Sequence, residues 1–200
     1  MSSIVKNIKE IVRKQGFGKV LSRNDAYLLE IHTDSANIIS LLKKLKSDKE
    51  LRFTILTDLF GADFPSRSKR FEVVYGLLSL EFNARIIIKV ALEDSEKIPT
   101  IAEVFNAAVW YEREAFDMFG IEFEDSPDLR RILTDYGFVG HPLRKDFPVS
   151  GHLQVKYDEK LKKVVYEPVK LDQDFRSFDF VSPWDGPHYV LPGDEKATKG

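Results

Sequence analysis

Cysteine is absent from all 200 residues. Its absence excludes disulfides, a thiolate-held iron–sulfur cluster and a cysteine zinc site in this chain. It also suits a reducing compartment. No apolar run reaches the roughly 18 residues of a membrane-spanning helix, and the opening MSSIVKNIKEIVRKQG lacks the apolar centre of an export signal. Any membrane attachment is therefore expected to run through partners. A dominant charge is lacking as well: 30 basic residues face 32 acidic ones, for a formal net charge of -2 and a pI near 6.1. A dedicated nucleic-acid binder carries a strong basic excess, so nucleic acid is not an expected partner. Nucleotide and nucleophile motifs are missing too. Gly16-Phe-Gly18 lacks a third glycine and precedes a strand, there is no GxxxxGK[ST] run, and neither Ser79 nor Ser150 sits in a nucleophile elbow.

With 43% apolar and 31% charged residues, the chain has the composition of a soluble globular protein, long enough for one domain with extensions or two small domains. Residues 1–100 hold 17 basic against 13 acidic side chains, and residues 101–200 hold 13 against 19. The acidic second half either suits basic partner surfaces or is ordinary variation of a solvated face.

Periodicity supplies the elements. Ile4, Ile8, Ile11 and Val12 predict an amphipathic helix ending near Gly16 and Gly18. Val20 to Ile31 reads as extended structure about an Asn24-Asp25 turn. Asp34 and Ser35 are candidate caps for a helix whose apolar face is Ile38, Ile39, Leu41, Leu42 and Leu45. Three strands follow, on Leu51/Phe53/Ile55, on Phe71/Val73/Tyr75/Leu77 and on Ile86/Ile88/Val90/Leu92; the last two form a hairpin through Asn83-Ala84. Asp58 to Pro65 reads as a loop punctuated by Gly61 and Pro65. Thr100 and Glu103 have the spacing of a capping box, which predicts a helix from there to about Met118, stopped by Gly120. Beyond it, Pro127, Pro142, Pro148, Pro168, Pro183, Pro187 and Pro192 break the chain, while its Phe, Tyr and Trp content is unlike disorder. The expectation is an α+β fold. An α/β domain over residues 1–120 carries a mainly antiparallel sheet packed by helices, and an extended docking segment over 121–200 carries a hairpin near 153–166.

Candidate chemistry is sparse. His32, His141, His152 and His188 form no HExxH or other short ligand pair. His141 and His152 with Asp146 between them come nearest to a metal set, yet lack a further ligand on rigid spacing, and polar or interface histidines are the favoured reading. Glu112 and Glu114 lie two apart and point about 200° away from one another on a helix, so they do not form a carboxylate dyad. Arg113 and Asp117 are i,i+4 and predict a pair on one face.

The block that concentrates these residues runs Trp110-Tyr-Glu-Arg-Glu-Ala-Phe-Asp-Met-Phe-Gly-Ile-Glu-Phe123, then Ser126-Pro-Asp-Leu-Arg-Arg-Ile-Leu-Thr-Asp-Tyr-Gly-Phe138, then Gly140-His-Pro-Leu-Arg-Lys-Asp-Phe-Pro148. Arg130, Arg131, Arg144 and Lys145 supply donors, and Glu112, Glu114, Asp117, Asp128, Asp135 and Asp146 supply acceptors. Because aromatic residues interleave with them, several of the pairs are expected to be buried, where loss of one partner costs about 3–5 kcal/mol.

This block resembles the signature of the 30 kDa subunit of respiratory complex I, the proton-pumping NADH:quinone oxidoreductase. Asp58-Leu59, Arg70 to Tyr75 with Leu78-Ser-Leu80, Thr100-Ile101, Phe178 to Gly186 and Leu191 to Ala197 are similar to that family too, so the likeness spans most of residues 50–197. Two positions depart from it. Ser126 stands where the family usually has His, and Val109 where it often has Asn, which puts in doubt any histidine role at that corner.

The resemblance implies a peripheral-arm subunit on the cytoplasmic side of the bacterial inner membrane, or the matrix side in a mitochondrion. It implies no flavin or cluster in this chain, while the parent complex uses FMN, iron–sulfur clusters, NADH and quinone. It implies assembly against the 49 kDa-like subunit and the cluster-bearing connecting subunits. The signature residues carried over are Glu112, Arg113, Glu114, Asp117, Gly120, Arg130, Arg131, His141, Pro142, Arg144, Lys145, Asp146 and Pro148, in structural and docking roles. Phe175, Arg176, Phe178, Phe180 and Trp184 are expected tail anchors. Other readings are a homologous scaffold subunit of a membrane-bound hydrogenase or related dehydrogenase, a stand-alone hydrolase using Glu112 or Glu114 with His141, and an interaction module unrelated to respiration.

Overall fold

A computed structural model describes residues 2–22 and 29–173, and the chain divides into two units between Gly151 and His152. The Asn24-Asp25 turn and the tail anchors Phe175, Arg176, Phe178, Phe180 and Trp184 lie outside the described residues.

In the first unit, helix α1 (Ser2–Gln15) buries Ile8 and Val12 and ends where Gly16 takes a left-handed conformation, as its periodicity predicts. Strands β1 (Lys19–Ser22) and β2 (Leu29–Thr33) pair antiparallel. A single 3₁₀ turn then leads into α2 (Ile38–Ser47), which buries Ile38, Leu41, Leu42 and Leu45. The expected caps do not form. Neither Asp34 nor Asn37 makes a side-chain cap, and Ser35 Oγ instead donates to Glu96 Oε1 at 2.9 Å.

Strands β3 (Ile55–Asp63), β4 (Phe71–Ser79) and β5 (Ala84–Leu92) complete a five-stranded sheet in the order β1-β2-β5-β4-β3. Every pairing is antiparallel except β2 with β5. The α+β fold with a mainly antiparallel sheet packed by helices is thus the architecture of the protein. The β4–β5 hairpin falls where alternation predicts it, with Asn83 at φ 45 closing the turn.

Two expectations fail here. Leu51 and Phe53 are fully buried but lie ahead of the strand, and the segment read as a loop from Asp58 is strand β3. Gly61 is the reason. It reads as turn punctuation, yet it sits mid-strand, where a Cβ would stand 2.8 Å from Phe119 Cδ2 and 2.9 Å from Ile121 Cδ1. This glycine admits a close neighbour and turns nothing.

The predicted capping-box helix is also corrected. Thr100 follows a two-residue strand, β6 (Ile98–Pro99), and the helix α3 begins only at Ala108 and runs to Phe119. Thr100 Oγ1 accepts from Ala102 N at 3.1 Å and donates to Glu112 Oε2 at 2.6 Å, so a distant carboxylate takes the hydroxyl that was to cap the turn. The stop at Gly120 does hold. Its φ of 75 makes a left-handed C-cap, and a Cβ there would meet both His141 and Arg144 at 2.7 Å. Strand β7 (Phe123–Glu124) then pairs parallel with β6. The first unit runs on to Gly151, beyond the hand-over expected at residue 120.

The second unit contains a hairpin of β8 (Leu153–Asp158) and β9 (Lys163–Pro168), slightly longer than sequence alone predicts.

Candidate functional site

Helix α3 carries four charged residues, Glu112, Arg113, Glu114 and Asp117. At 3.6 residues per turn, Glu112 and Glu114 separate as expected, Glu112 buried and Glu114 exposed.

Glu112 is fully buried. Its carboxyl accepts from Thr100 Oγ1 at 2.6 Å and from the Ile101 amide at 2.8 Å, and it also meets the Ser126 hydroxyl. Burial pushes the carboxyl above the usual range, and these three hydrogen bonds offset the shift only in part. The buried Tyr75 hydroxyl has no hydrogen-bond partner among the described residues. Burial first, and the Glu112 charge second, push Tyr75 well up.

A pH dependence follows for Glu112. An acid whose folded-state pKa lies above its unfolded value of about 4.3 contributes stability that is present below that value and lost as pH rises through the folded pKa. Glu112→Gln removes this titration. Urea unfolding of the two proteins across pH 4 to 8 is expected to show their difference shifting steadily in the variant's favour as pH rises. A difference independent of pH would show that Glu112 does not titrate with a raised pKa.

Arg113 does not pair with Asp117, contrary to the i,i+4 expectation. Its guanidinium reaches the following segment, donating to the Arg130 carbonyl at 2.8 Å and the Arg131 carbonyl at 3.0 Å, with Asp128 at 3.6 Å. It also lies 5.2 Å from the Trp110 ring centre. Arg130 itself is exposed and binds back onto Asp128, whose carboxyl its side chain and amide hold far below the usual range.

Asp117, fully buried, organises the same segment. Oδ2 accepts the amides of Ile132 at 3.0 Å, Leu133 at 2.8 Å and Thr134 at 2.9 Å. Oδ1 accepts Arg131 Nη1 at 2.7 Å and Thr134 Oγ1 at 2.5 Å. Burial alone would raise this carboxyl. The hydrogen bonds from Thr134, Leu133 and Ile132 outweigh it and hold the group far below the usual range. Arg131 Nη2 also donates to the Gly140 carbonyl at 3.0 Å.

His141 Nδ1 lies 3.0 Å from the Asp117 carbonyl, and its ring meets Phe116 edge-on. Glu112 and His141 thus turn to separate partners. Among the described residues, no group of three or more His, Cys, Asp or Glu is placed to hold a metal ion.

The last cluster joins the sheet to residues 143–147. Asp63, fully buried at the end of β3, takes a two-pronged bond from Arg70 at 2.7 and 2.8 Å and accepts the Lys145 amide at 2.7 Å. The Arg70 guanidinium holds the Asp63 carboxyl below its usual range. Arg70 also reaches Asp146 at 3.0 Å. Arg144 donates to the Phe119 carbonyl at 2.6 Å, pairs with Asp94 at 3.2 Å and lies 4.9 Å from the Phe71 ring centre. Pro142 follows His141 in the same turn, where Leu143 N donates to the Met118 carbonyl at 3.1 Å. Pro148 accepts from Gly151 N at 2.9 Å.

Sequence reasoning found Arg131, Arg144 and Asp117 but missed the roles of Thr100, Asp63 and Ser126. Asp63 and Arg70, acid and base on the two sides of the Pro65 turn, were the available signal.

The family model for the respiratory-chain NADH dehydrogenase 30 kDa subunit matches residues 31–153, which include every residue of these clusters. A Rickettsia felis protein, named as an NADH-quinone oxidoreductase subunit, is 64% identical over 161 residues, covering 80% of this chain and 78% of that one. A protein of the same name from Agrobacterium fabrum is 51% identical over 200 residues, covering both chains completely. Among solved structures, a chain of the membrane-bound sulfane sulfur reductase, an archaeal respiratory membrane complex, matches with a TM-score of 0.61 at 27% identity, over 74% of this chain and 85% of that one.

Proposed function

Because the chain belongs to the 30 kDa subunit family of the respiratory-chain NADH dehydrogenase, we propose that it is a docking and positioning subunit that holds other subunits' redox centres and carries none of its own. One observation supports this above the rest. Residues 128–149 combine inward-turned charges with exposed apolar side chains. Arg131 and Arg144 turn inward, and the buried Asp117 and Asp63 take up the segment's own donors, while Tyr136, Val139 and Val149 are 84%, 82% and 94% exposed. A run of exposed apolar side chains on a segment pinned from within suits a surface that another protein covers.

Glu112, Arg113, Asp117, Arg131 and Arg144 then serve shape, since their polar groups are engaged inside the chain. The neighbours would be the 49 kDa-like subunit and the cluster-bearing connecting subunits, with the aromatic tail from Phe175 to Trp184 as a second attachment by its composition. No described helix is long and apolar enough to cross a membrane, so attachment at the cytoplasmic face of the inner membrane would run through those partners. FMN, iron–sulfur clusters, NADH and quinone would be handled by them. The membrane-bound hydrogenase alternative is less favoured, because relatives at 50% identity and above carry the NADH-quinone name.

Affinity purification of the tagged chain from its host tests this. The expected eluate contains further subunits, flavin and iron–sulfur absorbance and NADH-dependent quinone reduction, whereas the chain purified alone shows none of these. Turnover of NADH, or of any ester or glycoside, by the chain alone would overturn the proposal.

A further inference from the structure

Strands β6 and β7 pair over only two residues each, a ribbon too short to hold by its own ladder. Glu112 of α3 sits where both strands end. Beyond β6, the Thr100 hydroxyl donates to Oε2 at 2.6 Å and the Ile101 amide to Oε1 at 2.8 Å. Beyond β7, Asp125 turns the chain in a left-handed conformation at φ 59, and the Ser126 hydroxyl meets the same carboxyl. One buried side chain thus closes both arms of the ribbon.

The two fully buried carboxyls of α3 keep different company. Asp117 receives a guanidinium and three backbone amides. Glu112 receives one amide and two hydroxyls, and no cation is among the groups it meets. From β4 the facing group is the Tyr75 hydroxyl, itself fully buried. On its own helix, Arg113 turns to the Arg130 and Arg131 carbonyls. Glu103, Glu114, Glu124 and Asp125, the other charges on these segments nearest to it, are exposed. Enclosing a carboxylate without a cation is costly, and enclosing the neutral acid with its hydrogen bonds made is not.

We propose that Glu112 is a proton-operated latch. As the neutral acid it closes the β6–β7 end; when its proton passes to solvent the end opens, and entering water supplies the carboxylate's donors. The closed end holds the proton more tightly than the open one, where Glu112 titrates like an exposed acid near about 4.3. The open fraction is therefore constant below that pH, grows by up to about tenfold per pH unit above it, and levels off at the closed-state pKa.

The test follows the purified full chain from about pH 4 to about pH 9. Infrared difference spectra between wild type and Glu112→Gln isolate the C=O band of a protonated Glu112. Amide exchange, corrected for its intrinsic pH dependence, reads opening at Thr100, Ile101 and Ser126. The wild type is expected to keep the band at pH values where exposed carboxyls are ionised. Protection of the three amides is expected to fall at least about tenfold by the pH at which the band disappears, while amides of β4 and β5 keep theirs. Glu112→Gln, which has the shape of the neutral acid, is expected to show protection independent of pH. A wild type without the band at about pH 6 overturns the proposal. So does protection that stays constant as the band disappears, or the same pH-dependent loss in Glu112→Gln. A loss shared equally by β4 and β5 also overturns it, since the whole unit would then be opening. Should Glu112→Gln fail to fold, the band and the exchange of the wild type, compared along one pH series, still decide the matter.

Discussion

Asp117→Ala is expected to lower the unfolding free energy by about 3–5 kcal/mol, or roughly 10–15 °C in melting temperature for a unit of this size. The fully buried carboxylate accepts three consecutive backbone amides and two side-chain donors. Alanine strips all five at once, leaving Arg131 without its carboxylate and the amides of residues 132–134 unsatisfied. The loop they shape should then open, and limited proteolysis is expected to cut at Arg130 or Arg131 well before the sheet domain. Asp117→Asn separates charge from shape. It keeps an acceptor on one atom but turns an NH₂ group on donors at the other, so it should recover only part of the loss. A variant that melts within about 2 °C of the wild type would show that the segment from 128 to 140 is held by something else.

Acid should act on the same bonds. Asp117 and Asp63 both have folded-state pKa values below their unfolded one, about 3.9. Their stabilisation is thus complete above that value and lost as pH falls through the folded pKa. Glu112 has the opposite sign. The wild type should accordingly be most stable in the mildly acidic range and unfold steeply only well below about pH 4.

The second large effect concerns Asp63. Asp63→Ala leaves Arg70, itself mostly buried, without its two-pronged partner and with only the exposed Asp146 and Asp94 beside it, and frees the Lys145 amide. A loss of about 3–5 kcal/mol is expected. Arg70→Ala should cost a similar amount, because it strands a fully buried carboxylate. The double variant Asp63→Ala with Arg70→Ala is the informative one. Removing both charges together should cost clearly less than the sum of the singles, with a coupling of about 1–3 kcal/mol. Urea unfolding of the four proteins measures this directly. Additive losses would mean that the two side chains, for all their two-pronged geometry, do not depend on each other.

Much of the architecture was legible in the sequence. Helices α1 and α2 announce themselves by apolar spacing, because a short amphipathic helix on a core has little other way to bury its stripe. The β4–β5 and β8–β9 hairpins do so by alternation. The errors fall where a local motif met a distant competitor. The Thr100–Glu103 capping box lost to the buried Glu112, which needed the Thr100 hydroxyl and the Ile101 amide more than a solvent-exposed turn did. The Arg113–Asp117 pair gave way for the same reason. Both side chains are nearly or fully buried, and each satisfies backbone groups of residues 130–134 that no helix neighbour could reach. Gly61 signalled a turn by its type and proved to be a place where Phe119 and Ile121 lie against the strand.

By itself, then, the sequence determined the helices α1 and α2, the β4–β5 and β8–β9 hairpins and the family. Only the tertiary structure decided which carboxylate takes which donor. Partners such as Asp63 and Lys145 lie 82 positions apart, and no local spacing encodes a contact that the packing of sheet against loop creates. The tertiary structure also decided which charges of residues 128–149 turn inward. Composition shows aromatic and charged residues interleaved, but burial alone says which of them face in. Desolvation opposes turning a charge inward, so only those that find a full complement of hydrogen bonds there are buried. That leaves the apolar side chains outward, on the face the chain offers to its neighbours.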